Sequence, residues 1–273
     1  MTGWQGPSDY FRFVEREAFD PSVVEDVLRG RRLGVVFRDV VPAEALNRLV
    51  ERFWASPLNK RREHVEAPGN YLGTYHFHKT TEQYLADSAE VAPEMHATLD
   101  FPGSPWRWFQ DDLRSYFARQ GVRFRLAEKD GRVACPATIR SWDAVGDFAL
   151  LPHEDYAQCR EPGQADFEIQ QVLQYRPCGV NFCLENGDGG RLVVWNIQPD
   201  DETRTRHGSY YAGAPYPPAT MVDIQSVRLD LSPGDLYVFN AAHVHAVERN
   251  RGNRTTLSCL MGLVDDANVV VWT

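Results

Sequence analysis

A chain of 273 residues with 43% hydrophobic and 12% aromatic content carries enough apolar material for a packed core, which excludes wholesale disorder. Its formal charge of −9 comes with no long basic stretch, so nucleic acid is not an expected partner. The five cysteines (Cys135, Cys159, Cys178, Cys183 and Cys259) are odd in number and form no C-x-x-C pair, which disfavours a disulfide scaffold or a zinc ribbon. No apolar run approaches the roughly 18 residues of a membrane span, and Met1–Gln5 lacks the basic-then-apolar pattern of a signal peptide. The expectation is a soluble, cytoplasmic protein.

Taken in chain order, the first half reads as mostly helical. Leu33–Phe37 is a short apolar run expected to form an isolated strand. Val41–Trp54 has apolar residues at helical spacing behind Pro42, a residue suited to a first turn. Thr80–Ala97 reads as a second helix with Thr81 as its candidate cap, and Pro105–Ala118 as a third with Trp106, Phe109, Leu113 and Phe117 on one face. Between them, Pro57–Gly69 is charged and irregular and is expected to be a loop.

From Arg132 the pattern changes to short strands broken by Gly, Pro, Asn and Asp. The expected strands are Ala137–Trp142, Phe148–His153, Gln170–Tyr175, Val180–Leu184, Arg191–Ile197, Val227–Leu231, Asp235–Phe239, Thr255–Leu263 and Val269–Trp272. Glu185–Gly190 and Ser232–Asp235 supply turn signals. Many short strands at this spacing indicate a sandwich or barrel. The expected fold is mainly β with flanking α: a double-stranded β-helix, or jelly roll of cupin type, with the N-terminal helices packed on one sheet. We expect one domain over 1–273, with 1–130 as a helical buttress and substrate cover and 131–273 as the jelly-roll core.

Three motifs carry chemistry. In His153-x-Asp155 the two side chains share one face of a strand, so both can point inward while Glu154 points away. Ser232–Phe239 is a turn into an apolar strand that runs directly into His243 and His245. His245 is the expected ligand; His243 is expected to serve a structural hydrogen bond. Two imidazoles and one carboxylate on one face of an octahedral ion leave three positions open, which suits non-haem Fe(II) and O2. Arg254-x-Thr256 follows: a buried guanidinium can grip a carboxylate in bidentate fashion while a hydroxyl two residues along adds a bond. That is what the distal carboxylate of 2-oxoglutarate requires.

At these residues the chain resembles the carrier-independent iron/2-oxoglutarate oxygenases that include the hapalindole-type (welwitindolinone and ambiguine) halogenases. The resemblance rests on Cys135–Arg140, Gly189–Asn196, Ser232–Asp235, His245–Val247, Arg254–Leu257 and Val271–Trp272, and more faintly on 32–50 and 71–78. It implies the jelly roll, Fe(II), 2-oxoglutarate and O2, with His153, His245 and Arg254 at matching positions. Those halogenases have glycine where this chain has Asp155, which opens a site for chloride. The resemblance therefore implies the fold and argues against halogenation. Hydroxylation is the expected outcome, with desaturation and cyclisation using the same chemistry.

The expected substrate is a small free metabolite, either an amino acid or an intermediate of specialised metabolism. Candidate substrate-binding residues are Tyr75, His76, His78, Arg140 and Trp195. Arg140 fits either a substrate carboxylate or a structural ion pair. The insertion Asp200–Pro218 adds Arg204 and Arg206 as candidate cations, in either a lid or a solvated hairpin. Two other readings stand beside this one: a cupin-type metal dioxygenase or isomerase without 2-oxoglutarate, and a non-catalytic jelly-roll binding protein.

Overall fold

Two long antiparallel strands, Cys178–Gly189 and Asn250–Asp265, form the spine of the molecule, paired from Cys178 opposite Met261 to Gly189 opposite Asn250 with register shifts between Cys183 and Glu185 and between Asn186 and Asp188. They are buried on nearly every central residue rather than on alternate ones, because both faces of their sheet are covered. The computed structural model describes residues 1–62, 68–143, 146–211 and 215–273.

The large sheet runs in the order 13–16, 34–37, 236–240, 178–189, 250–265, 138–142, 69–72 and 60–62, with Asn268–Trp272 pairing along the spine and Arg123–Leu126 parallel to it. Opposite lies a smaller antiparallel sheet in the order 148–153, 245–248, 192–195 and 226–229. Leu192, Val194, Leu229, Tyr237 and Phe239 fill part of the space between the sheets. This is the expected jelly roll, and its inward-facing residues alternate as a pleated strand requires.

Helices cover the outer face of the large sheet. Pro105–Ala118 starts on a proline and buries Trp106, Phe109, Leu113 and Phe117, with Phe109 edge-on to Phe182 of the spine at 5.5 Å between ring centres. Ala43–Ala55 lays Leu46, Leu49 and Phe53 into the same core. Thr81–Leu99 is capped by Thr80 rather than Thr81: Thr80 and Gln83 close a reciprocal capping box, while the Thr81 hydroxyl donates to Asp166.

Other elements differ from expectation. Gln170–Tyr175 is not a strand but part of a 3₁₀ segment, Glu168–Gln174; its buried Ile169 and Val172 are three residues apart, the spacing of a helical turn rather than of a pleat. Pro57–Gly69 contains the strand Lys60–Arg62, paired with Gly69–Leu72, and residues 63–67 of that stretch lie outside the described ones. The helix Pro21–Leu28, capped by Asp20, was unanticipated although Asp-Pro is a helix-start signal. In the insertion, Asp201–His207 is a short helix capped by Asp200, and 212–214 are not described. Among the described residues no helix is long and apolar enough to cross a membrane.

Candidate active site

The two sheets part at one end around a cavity of about 160 Å³. Strand parity decides what lines it: Arg254, Thr256 and Ser258 from one strand, Thr138, Arg140 and Trp142 from its neighbour, Tyr237 and Phe239 from a third. Across from them, His153 ends the strand Phe148–His153 and His245 begins His245–Glu248; the two are direct partners in the register, with ring centres 4.3 Å apart. Asp155 lies just beyond the strand end, where its backbone N–H donates to the carbonyl of Ala241 at 2.9 Å.

Each imidazole Nε2 lies 3.7 Å from an oxygen of Asp155, and one ligand atom from each of the three residues lies within 4.8 Å of the others. The outer nitrogens are already committed. His153 Nδ1 bonds the carbonyl of Leu151 at 2.8 Å, and His245 Nδ1 that of His243 at 2.9 Å. A carbonyl only accepts, so both rings carry their proton on Nδ1 and turn a lone pair on Nε2 toward Asp155. Burial pushes both imidazoles down to about 4, which keeps them neutral at pH 7. Burial also raises Asp155, opposed by His153, by Arg140 and by Gln158, whose Nε2 donates to Oδ1 at 2.6 Å.

Two nitrogen lone pairs and a carboxylate oxygen converging on one point repel one another unless a cation lies between them. Two neutral nitrogens with one anionic oxygen, leaving one side open to the cavity, is a donor set that fits Fe(II). Behind it, Glu154 points away from the cavity as expected, fully buried, accepting from Arg204 Nε at 2.8 Å and from the N–H of Ala157 at 2.9 Å. That pair anchors the turn carrying Asp155.

Arg254 is 2% exposed. Its Nε donates to the carbonyl of Gly190 at 3.1 Å, and Nη2 contacts the Tyr237 hydroxyl at 3.4 Å. Gly190 has φ 67°, and a Cβ there would stand 3.0 Å from Arg254 Cδ, so glycine seats the arginine. No acidic partner reaches Arg254 among the described residues. With Thr256 two residues along on the same face, this end of the cavity fits a carboxylate.

The other expected residues divide. Tyr75, His76 and Arg140 are in the cavity wall. His78 is not: it is exposed at a turn with φ 59°, its ring tilted against Phe77 with centres 4.0 Å apart. Trp195 also lies outside the wall, packed with Tyr216, Met221 and Val244. Strand parity explains this, since Leu192 and Val194 of the same strand face inward and Trp195 faces out. His243 has the structural place expected of it, with Nδ1 on the carbonyl of Trp195 at 3.0 Å and Nε2 on the Tyr10 hydroxyl at 3.2 Å. Arg204 is engaged by Glu154, and Arg206 pairs with Glu202 on the surface, so neither is a free cation at the cavity. Gln158, Tyr237, Asn181 and Arg62 line the cavity and were not foreseen.

Comparison with known proteins agrees with this geometry. Residues 13–272 match the family described as carrier-protein-independent halogenase WelO5. The chain belongs to this family. It is 35% identical over 213 residues to an L-isoleucine 3(1)-dioxygenase of Pantoea ananatis (strain AJ13355), covering 75% of this chain and 70% of that enzyme. An N-substituted L-amino acid dioxygenase from Burkholderia ambifaria AMMD shares the fold at a TM-score of 0.61 with 15% identity, over 93% of this chain and 91% of that one. A second structure of that enzyme, in complex with alpha-KG, superposes at a TM-score of 0.55. The chain is thus an oxidoreductase of the Fe(II)- and 2-oxoglutarate-dependent oxygenase class, using O2 to oxidise a small molecule.

Proposed function

We propose that this member of the family hydroxylates an aliphatic carbon of a free amino acid or a closely related metabolite, and does not halogenate. The observation that carries the reading is the Asp155 carboxylate, 3.7 Å from both inward imidazole nitrogens. A carboxylate there occupies the position that a halide would need. The 35% identical Pantoea enzyme, named for isoleucine, supports an amino acid as substrate.

In this reading His153, Asp155 and His245 hold Fe(II), and Arg254 with Thr256 holds the distal carboxylate of 2-oxoglutarate. The bound metal and co-substrate supply oxygen activation for C–H cleavage, with succinate and CO2 released. The chain's own contribution is position and dryness. The backbone carbonyls of Leu151 and His243 keep the Nδ1 protons in place, so the imidazoles remain neutral ligands. Gln158 holds one oxygen of Asp155 and so sets the rotation of the carboxylate. Leu150, Leu192, Phe239 and Val247 exclude water beside the triad.

The test is a reaction with Fe(II), 2-oxoglutarate, O2 and excess chloride over a panel of free apolar L-amino acids, read by mass spectrometry. The expected product carries one added oxygen and forms with stoichiometric succinate. A chlorinated product would overturn the hydroxylase reading, and product formation without succinate would point to a cupin-type dioxygenase.

A further inference from the structure

Three arginines, Arg254, Arg140 and Arg62, line the cavity against a single acidic side chain, Asp155, among the described residues. A divalent cation and Arg254 together offset Asp155 and a dicarboxylate co-substrate. Arg140 and Arg62 are then left over. Neither has an ion pair with a described residue. Arg140 Nη2 donates to the Ser258 hydroxyl at 3.0 Å and its guanidinium stacks on Trp142 at 4.7 Å, while its Nε is buried with no partner. Arg62 stacks on Tyr75 at 5.1 Å, and its Nε is likewise buried and unpartnered. Burial, with Arg62 adding to it, pulls Arg140 down to about 10, as expected of a cation that lacks an anion. A buried cation without a counter-charge is costly unless a ligand supplies one.

A second unpartnered group faces the same cavity. His76 is 1% exposed and lines the wall. Gln164 donates through Nε2 to the carbonyls of His76 at 2.6 Å and Lys79 at 2.9 Å, so its Oε1 must be the acceptor for His76 Nδ1 at 2.9 Å. The proton of the neutral ring is thereby fixed on Nδ1. Nε2 is a buried acceptor with no partner.

We propose that Arg140, assisted by Arg62, binds the substrate carboxylate, that His76 Nε2 accepts a hydrogen bond from its ammonium group, and that the substrate is therefore an α-amino acid with both ends free. The inference rests on the oxygenase reading of this cavity and adds the two recognition points to it. Arg254 serves the co-substrate and Arg140 the substrate, so two anions are sorted between two arginines of one wall. An amide or ester leaves Arg140 without its charge, and an acid lacking the amine leaves His76 unpaired.

The experiment measures binding to the full-length protein loaded anaerobically with Fe(II) and 2-oxoglutarate, using calorimetry and the fluorescence of Trp142 beneath Arg140. The probes are L-isoleucine, L-leucine and L-valine, each beside its amide and its des-amino acid. At least one amino acid is expected to bind, with its amide weaker by about tenfold or more and its des-amino acid weaker by several-fold. In Arg140→Gln the preference for carboxylate over amide should vanish while the visible iron–2-oxoglutarate band persists. Should Arg140→Gln or His76→Phe fail to fold, the ligand comparisons in the wild type still decide. Equal binding of acid and amide overturns the proposal. So does a band that forms normally with none of the three amino acids bound, an outcome that leaves the oxygenase reading standing. Loss of the band in Arg140→Gln with unchanged amino-acid binding would reassign Arg140 to the co-substrate. No band in the wild type would overturn the oxygenase reading itself, and this proposal with it.

Discussion

At the His153–His245 corner of the cavity the outward nitrogen of each imidazole and one oxygen of Asp155 are already bonded to protein groups, whereas along the opposite wall Arg140 and Arg62 keep buried nitrogens with no partner among the described residues. Both regions are desolvated; they differ in what the fold has already satisfied. The corner is finished except for its inward lone pairs, so its geometry is set before anything binds. The arginine wall is finished by its ligands. In the proposed reading, chemistry is built into the rigid corner, and selection among substrates into the charge-incomplete wall.

The largest expected effect comes from breaking the corner. Asp155→Ala removes the one carboxylate of the triad, and iron affinity and turnover should both fall by more than about a hundredfold, since groups merely behind the ligands account for ten- to hundredfold. Metal content after dialysis, beside succinate formation, checks this; an iron-replete, active variant would move the metal elsewhere. Next is the co-substrate end of the wall. Arg254→Ala should weaken 2-oxoglutarate about a hundredfold, the loss of a buried charge-assisted contact, with iron affinity unchanged. Equal losses of iron and 2-oxoglutarate would erase the distinction between corner and wall.

Acidification of the metal-free protein gives a smaller effect of known sign. His76, His153, His243 and His245 are all pushed down by burial to about 4. The unfolded chain, with histidines near 6.5, binds more protons between these values, so the stability they contribute is present above about pH 6.5 and is lost as pH falls toward 4. Asp155 and Glu154, raised by burial, act in the opposite direction. With four histidines opposed by two carboxylates, a net loss of stability is expected at pH 5.5, visible as a lower Tm than at pH 7.5. A flat or rising Tm would contradict the neutral-imidazole corner. The smallest effect is expected from Gln158→Leu, about tenfold in metal affinity, through the freed rotation of Asp155. Unchanged affinity would mean that the carboxylate is held without it.

How far the sequence reveals this division follows from strand parity. His153-x-Asp155 and Arg254-x-Thr256 each place two side chains on one face, and His245 begins a strand that pairs directly with His153. Parity also places Trp195 outside the cavity, since it has the opposite facing from Leu192 and Val194. His78 lies beyond the reach of parity, because its left-handed backbone at a turn breaks any alternation with His76. Gln158 and Arg62 were illegible for another reason. One reaches Asp155 from a 3₁₀ turn and the other comes from the distant hairpin pairing Lys60–Arg62 with Gly69–Leu72. Tyr237 was within reach, because it shares its face with Phe239 on a strand that the sequence marks clearly. The jelly roll was legible as a series of short strands, but Gln170–Tyr175 was drawn into it by hydrophobicity alone.

The most direct test of the central claim is an anaerobic titration of metal-free protein with Fe(II) and then 2-oxoglutarate, following the weak visible charge-transfer band of the chelate. The account predicts a band in the wild type, none in Asp155→Ala, and one in Arg254→Ala that appears only at about a hundredfold higher 2-oxoglutarate. Iron binding with no band at any concentration, or a band of full strength in Asp155→Ala, would contradict it.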